Sequence, residues 1–175
     1  SYSNTNERSY SLATGGAISV DNGSALFVSN SVFDSCVSEA VSATCCGALA
    51  TFCSRGGAIE FDNSTGFIEN SQFMNCDSFG TGVLTWDSGE CLNNANGGAL
   101  YFGDLSSPNF LNCTFTNCDA YAGGAAHLQD RSSPYLTNCT FASNTASNDG
   151  GAVYALNSSP SIGGGLFQDN AAPVG

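Results

Sequence analysis

Residues Gly56–Cys76 read GGAIEFDNSTGFIENSQFMNC, and this stretch is the template for the rest of the chain. It opens on Gly-Gly-Ala, runs into a short alternating segment, breaks at Asp62-Asn63-Ser64-Thr65 and closes on Asn70-Ser71-x-Phe73-x-x-Cys76. Four further copies start at Gly15, Gly97, Gly123 and Gly150. A unit this short cannot bury its own apolar residues, so neighbouring units must stack, and the period dictates the architecture.

Aligned on their Gly-Gly pairs, the copies form columns. Ile18, Ile59, Leu100, Ala126 and Val153 make one, and Val20, Phe61, Phe102, Leu128 and Ala155 make a second two residues on, which is strand spacing. Ser19, Glu60, Tyr101, His127 and Tyr154 fall between them, and strict alternation sends that mixed column to solvent. A third apolar column is Val28, Ile68, Phe110, Leu136 and Ile162, and a fourth is wholly aromatic, with Phe33, Phe73, Phe115, Phe141 and Phe167.

The repeat length decides how these columns are buried. Gly97 to Gly123 is 26 residues and Gly123 to Gly150 is 27. That is too short for a unit containing a full helix, and it suits three short strands wound once around a core. Stacked about 4.8 Å apart, such coils pair each strand with its copies in parallel and in register. The expected fold is therefore all-β, a parallel β-helix solenoid of five to six coils filling a single domain over residues 1–175. Asn30, Asn70, Asn112 and Asn138 each lie three residues before a column phenylalanine, and they are read as an inward amide ladder. Gly164 interrupts that column in the last copy and suggests an altered turn there.

The first two copies carry insertions, 37–55 and 77–96, which follow the same corner and are expected to form one side lobe on the first two coils. They hold Cys45, Cys46, Cys53 and Cys91, so the lobe is expected to be stapled by disulfides. Gly47-Ala48-Leu49-Ala50 and Gly82-Val83-Leu84-Thr85 are read as paired short strands within it. Cys113 and Cys139 occupy equivalent positions one coil apart, and the rung spacing falls inside the Cα separation a disulfide accepts, so an axial bridge between them is expected. Cys36, Cys76 and Cys118 form another column, from which at most one adjacent pair can bridge.

Composition narrows the partners. The net charge is -12, there is no lysine, and the cations are Arg8, Arg55 and Arg131. Nucleic acid and anionic membrane surfaces need clustered cations and are disfavoured. Nine cysteines fit an oxidising compartment, which places the protein outside the cell or on its surface. Zinc is disfavoured, because Cys45-Cys46 lacks a second ligand pair and His127 is the single histidine. No apolar run approaches the roughly 20 residues of a membrane span. The sequence starts at Ser1 with no signal peptide, which suggests a processed or excerpted form of a secreted precursor.

Gly-Gly-Ala-apolar followed by Phe-x-x-Asn resembles the repeat of chlamydial polymorphic outer-membrane proteins and related right-handed β-helix proteins of the pectate-lyase-like class. Gly123-Gly124-Ala125-Ala126 with Phe141 to Asn144, and Gly150-Gly151-Ala152-Val153 with Phe167 to Asn170, carry both halves. Cys36, Cys76 and Cys118 replace the final Asn in the first three copies. The resemblance implies a right-handed coil and a surface-exposed adhesive or structural role. Fold alone does not fix activity.

No constellation in the chain stands out as catalytic, and an enzyme is not expected. The alternative is a polysaccharide-acting lyase or hydrolase, or a carbohydrate-binding module, for which His127, Asp130 and Arg131, with Asp104 one coil away, are the nearest candidates. Asp21, Asp62, Asp104 and Asp130 recur near one corner, and stacked carboxylates could recruit calcium, although turns favour Asp unaided. Of five Asn-x-Ser/Thr triplets, Asn22, Asn63 and Asn157 fall in one exposed corner and are candidate glycan sites. Asn112 and Asn138 belong to the ladder and should be inaccessible. Neither Ser1 to Thr14 nor Leu166 to Gly175 offers a capping helix or a charged edge, so either coils of successive molecules stack end to end, with self-association into a filament as the expected partnership, or the sequence is an excerpt of a longer helix.

Overall fold

The computed structural model describes residues 9–41, 50–81 and 94–173. Among them there is no helix, and every strand pairing is parallel. Each coil lays one short strand on each of four faces, where the repeat length suggested three. The first face comprises Ile18–Val20, Ile59–Asp62, Leu100–Gly103, Ala126–Leu128 and Val153–Ala155. The second runs from Ala25–Ser29 to Ser161–Gly163, and the third from Val32–Asp34 to Leu166–Gln168.

The fourth face was not anticipated. In the later coils it is one strand, Asp119–Ala122 or Thr145–Asp149. In the first two coils it is split, so that Val37–Val41 and Asp77–Thr81 leave the coil while Ala50–Arg55 and Asn94–Asn96 return to it. Asp119–Ala122 pairs with both halves, through Asp77↔Asp119 and Asn96↔Ala122. The ends of the expected insertions 37–55 and 77–96 are therefore part of the solenoid. Residues 42–49 and 82–93, which include the remainder of the lobe and nearly all of its expected strand pair, lie outside the described residues. Buried serines join the split halves. Ser54 Oγ lies 3.0 Å from Ser38 Oγ and donates to the Ser38 carbonyl, and Ser78 Oγ donates to Ser54 Oγ at 3.0 Å.

Each corner between faces contains a residue with positive φ. Gly15, Gly56, Gly97, Gly123 and Gly150 stand before the first face, and Asn22, Asn63, Asp104, Asp130 and Asn157 after it. Asn30, Asn70, Asn112, Asn138 and Gly164 follow the second face, and Ser35, Asn75, Asn117, Ser143 and Asp169 follow the third. The left-handed region admits Gly freely and Asn or Asp most readily among the rest. Gly164, at φ 64, adopts the same conformation as Asn138 at φ 52, so it continues the column and marks no altered turn. The second glycine of each pair answers a different need. A Cβ on Gly98 would overlap the Gly124 carbonyl oxygen and sit 2.8 Å from the Asp119 backbone.

The four apolar columns stack in register. Phe33, Phe73, Phe115, Phe141 and Phe167 form one pile with centroid separations of 4.7, 4.9, 4.9 and 4.8 Å. Phe110 meets this pile at Phe73 and Phe115 and stands edge-on to Phe61 and Phe102, and these five rings with Phe141 lie in the buried core.

If the second glycine is set by space, Gly98→Ala should cost on the order of 3 kcal/mol or more. Gly163→Ala, whose Cβ would meet nothing within 4 Å, should stay within about 0.5 kcal/mol of the parent. Urea unfolding of the two variants checks this, and equal midpoints would refute it.

Candidate functional site

The largest concentration of buried polar side chains lies at the Gly-Gly corner, where the fourth and first faces meet. Contrary to the expectation from alternation, the column between the two first-face apolar columns is not solvated. Glu60, Tyr101 and His127 are only 3%, 1% and 3% exposed, although Ser19 at the start of the column is open. Asn96 and Ala122, which end fourth-face strands, are buried as well. Gly-Gly lets the backbone fold sharply at this corner, and the outward side chains of the two faces close on each other as a seam.

Arg55 is the cation of that seam. Its Nη1 lies 3.5 Å from Glu60 Oε1, and its guanidinium carbon sits 4.9 Å from the centroid of the Tyr101 ring. This is a partly buried ion pair combined with a cation–π contact. Ser19 Oγ donates to Glu60 Oε2 at 3.4 Å. Burial raises the Glu60 carboxyl, and Arg55 pulls it back down. Burial also pushes the Tyr101 hydroxyl above its ordinary range. The sequence offered one signal for Arg55, a cation five residues before a carboxylate across a Gly-Gly pair, and that signal is not specific.

His127 completes the stack. Tyr101 lies against one side at 5.5 Å and an interplanar angle of 8°, and Tyr154 approaches at 5.2 Å and 41°. Gln129 and Ala122 come near the ring, but neither ring nitrogen makes a hydrogen bond among the described residues. Burial lowers its pKa to about 4 and the Arg55 charge adds to the effect, against the pull of Asp130. His127 is thus a neutral, sandwiched ring. The structure does not gather the lyase candidates around it: Asp104, Asp130 and Arg131 are exposed corner residues, with φ of 30, 56 and 64.

The expected axial disulfide between Cys113 and Cys139 is absent, and both are free thiols, as are Cys36, Cys76 and Cys118. In a parallel in-register stack both Cβ atoms point the same way at about the strand spacing, whereas a disulfide needs them turned together at about 3.5–4.5 Å. The thiols bond to backbone instead. Cys113 Sγ donates to Ile68 O at 3.6 Å and Cys139 Sγ to Phe110 O at 3.7 Å. Cys76 and Cys118 donate to Phe33 O and Phe73 O at 3.7 and 3.9 Å. Asn144 and Asn170 fill the same column and donate from Nδ2 to Phe115 O and Phe141 O at 3.0 and 2.9 Å. Cys76 and Cys118, which replace the repeat's final Asn, keep its contact to the preceding coil, while Cys36 in the first coil donates to its own Asp34 carbonyl at 3.9 Å. Five of the nine cysteines are therefore column residues, and their number says little about redox compartment. Cys53 is disulfide-bonded, and Cys45, Cys46 and Cys91 lie outside the described residues.

The asparagine column is also corrected. Asn112 Nδ2 donates to Asn70 Oδ1 at 3.1 Å, and Asn138 Nδ2 to Asn112 Oδ1 at 3.4 Å, but the amides of Asn30, Asn70, Asn112 and Asn138 face solvent. At a convex corner a left-handed L-residue directs its Cβ outward, and the need for positive φ accounts for the column. Asn112 and Asn138 are consequently as exposed as Asn22, Asn63 and Asn157. Buried serines follow the latter corner, with Ser64, Ser106 and Ser132 donating to Asp62 O, Gly103 O and Gln129 O, so the serine after Asn63 has a turn role of its own. Burial and the neighbouring Asp104 raise the Asp62 carboxyl. Among the described residues no three His, Cys, Asp or Glu side chains assemble into a metal site, so the calcium expectation gains no ligand set.

The seam gives a pH prediction. His127 titrates near 4 when folded and near 6.5 when unfolded, so the unfolded chain takes up its proton first as pH falls. Stability from this residue is lost between about pH 6.5 and 4, up to about 3 kcal/mol. The raised carboxyl of Glu60 works in the opposite sense inside that window, between its folded value and the ordinary 4.5. His127→Phe should therefore gain on the parent as pH drops from 7 to 4. Parallel stability curves from chemical denaturation would show the imidazole to be unimportant.

No helix among the described residues is long and apolar enough to cross a membrane. Residues 13–171 match the family described as the right-handed β-helix region. No curated protein and no solved structure matches the chain. With parallel strands stacked in register along nearly its whole length, the chain belongs to the right-handed β-helix family.

Proposed function

We propose that this is a non-catalytic extracellular structural protein, the subunit of a surface fibre or adhesive stalk assembled by end-to-end stacking of its coils. One observation carries the reading. Ile162 and Phe167, members of two core columns, are 41% and 46% exposed on the last rung, whereas Leu136 and Phe141 directly beneath are fully buried. Val153–Ala155, Ser161–Gly163 and Leu166–Gln168 likewise pair on one side only. An open strand edge bearing core residues is a template for another β-helical coil, supplied by a second molecule in a fibre and by the same polypeptide in a longer solenoid.

Supporting features are weaker. The lysine-free acidic composition and the disulfide at Cys53 suit an extracellular setting, and a bond from Cys53 into 42–49 or 82–93 would staple a side lobe. The Gly-Gly-Ala and Phe-x-x-Asn doublet favours the polymorphic outer-membrane repeat as the nearest kind of coil. Glycans on Asn22, Asn63 and Asn157 would occupy one outer corner. A polysaccharide-directed activity at His127 has little in its favour, since the ring is enclosed between Tyr101 and Tyr154.

Purified protein should sediment as concentration-dependent oligomers and form narrow filaments in micrographs. Because copies carrying -12 repel one another, raising salt from 20 to ~300 mM should promote assembly. Phe167→Glu should abolish it without lowering the melting temperature appreciably. A parent that stays monomeric at all concentrations and salts would overturn the proposal.

A further inference from the structure

The geometry points to a two-coordinate site for a soft monovalent cation, copper(I), between the stacked thiols of Cys113 and Cys139. These residues directly precede Thr114 and Thr140, which pair in register, and the Thr140 N–H donates to the Cys113 carbonyl at 2.9 Å. Their side chains therefore lie one above the other, 1% and 0% exposed, in the core cluster that holds Phe110, Phe115, Leu136 and Phe141. The spacing that forbids a disulfide suits an ion. In-register strands stand about 4.8 Å apart, and two metal–thiolate bonds of about 2.3 Å on opposite sides of one ion span about 4.6 Å.

The column offers two donors and no third. Thr114, Thr140 and Leu166 donate in turn from their N–H groups to the Ser71, Cys113 and Cys139 carbonyls, which puts Ser71 directly before the pair in the column and Gly165 directly after it. Ser71 Oγ is already committed, donating to Glu69 O at 2.8 Å and accepting from the Ser31 N–H at 3.1 Å. Gly165 has no side chain. Zinc and the hard cations need about four or more donors, which a pair in an apolar core cannot supply. Monovalent ions with a filled d shell bind two thiolates in a line, and soft sulfur selects them. Cys36, Cys76 and Cys118 follow one another in their own column, so no pair there is isolated in this way.

A thiolate at either position finds a donor. Ser71 Oγ accepts the N–H of its column neighbour in the coil before, and the sulfurs of Cys113 and Cys139 stand in the same relation to the N–H groups of Ser71 and Cys113. The S–H contacts given up on loading, Cys113 to Ile68 O at 3.6 Å and Cys139 to Phe110 O at 3.7 Å, come from a weak donor. Two S–H bonds break and two sulfur–copper bonds form. Both protons leave to solvent, and no electron is transferred. Because the sulfurs are enclosed, the ion enters when the coils form or open.

Silver(I), which has the same charge and the same preference for two sulfurs and is redox-inert here, is the probe. The parent, with its disulfide intact, is incubated with silver nitrate in chloride-free buffer, and native mass spectrometry counts the ions held by the folded protein. Cys113→Ser and Cys139→Ser each place in the column the residue type already present at Ser71. Each should hold one silver fewer than the parent, and the double variant also one fewer, because a single ion spans both sulfurs. Unchanged counts in the single variants, or a loss of two in the double, would overturn the site and leave the pair as core filling. A second measurement needs no variant. Crystals grown from the silver-treated parent should show an anomalous-scattering peak between the two sulfurs, and a map without one there would refute the inference.

Discussion

The structure depends on one backbone constraint, a left-handed residue at each of four corners in each coil. Such a residue turns the chain sharply without a loop, so a strand of three residues can be followed at once by the next face. The cost falls on residue choice, because Gly and then Asn and Asp accept positive φ most readily, while the serines, Leu105 and Arg131 adopt it against greater strain. Once the corners are set, each face must lie over the same face of the coil before it. Backbone pairing then forces identical positions into columns, which is why the core is a pile of phenylalanines and not a jigsaw of unlike side chains.

Columns also govern the polar groups. A side chain stacked on its own copy must find a hydrogen bond along the axis or on the backbone, since its lateral neighbours are apolar. Asn144 and Asn170 do both, and the cysteines before them keep only the backbone contact. Burial raises the half-buried Cys36 thiol to about 11, where the nearby Cys76 adds to it, whereas the hydrogen bond with Cys76 holds Cys118 below the ordinary thiol range. They pack as small core residues with a weak donor. The seam at the Gly-Gly corner is the exception to column uniformity. There Glu60, Tyr101 and His127 differ in chemistry and are held by aromatic stacking and by Arg55 from the adjacent face.

A solenoid of this kind has nearly one-dimensional energetics, because each coil contacts only its neighbours. Interior coils bury their columns twice and end coils once. Ile162 and Phe167 therefore lie exposed for the same reason that Leu136 and Phe141 are buried. The functional reading follows from that asymmetry, whereas exposed flank residues among the described ones, such as Phe27 and Tyr135, are the outward half of an alternating strand.

The sequence by itself determined the parallel stack, the membership of all four apolar columns and their register, because a repeat with fixed spacing admits no other way to bury five copies of the same residues. It also supplied the corner residues, though their meaning was misread. Asn30, Asn70, Asn112 and Asn138 looked like an inward ladder, and only backbone dihedrals show them to be outward corner residues. The tertiary structure alone decided the fourth face, since Asp119–Ala122 and Thr145–Asp149 lack the apolar signature of a strand and are held by pairing with each other and, for Asp119–Ala122, with the split strands of the coil before it. It decided the burial of Glu60, Tyr101 and His127 as well, because alternation reports which side of a strand a residue occupies and is silent on whether another face folds against that side. The fate of the cysteines was equally beyond the sequence: spacing brings Cys113 and Cys139 to bonding distance, but the parallel direction of their Cβ atoms keeps them apart.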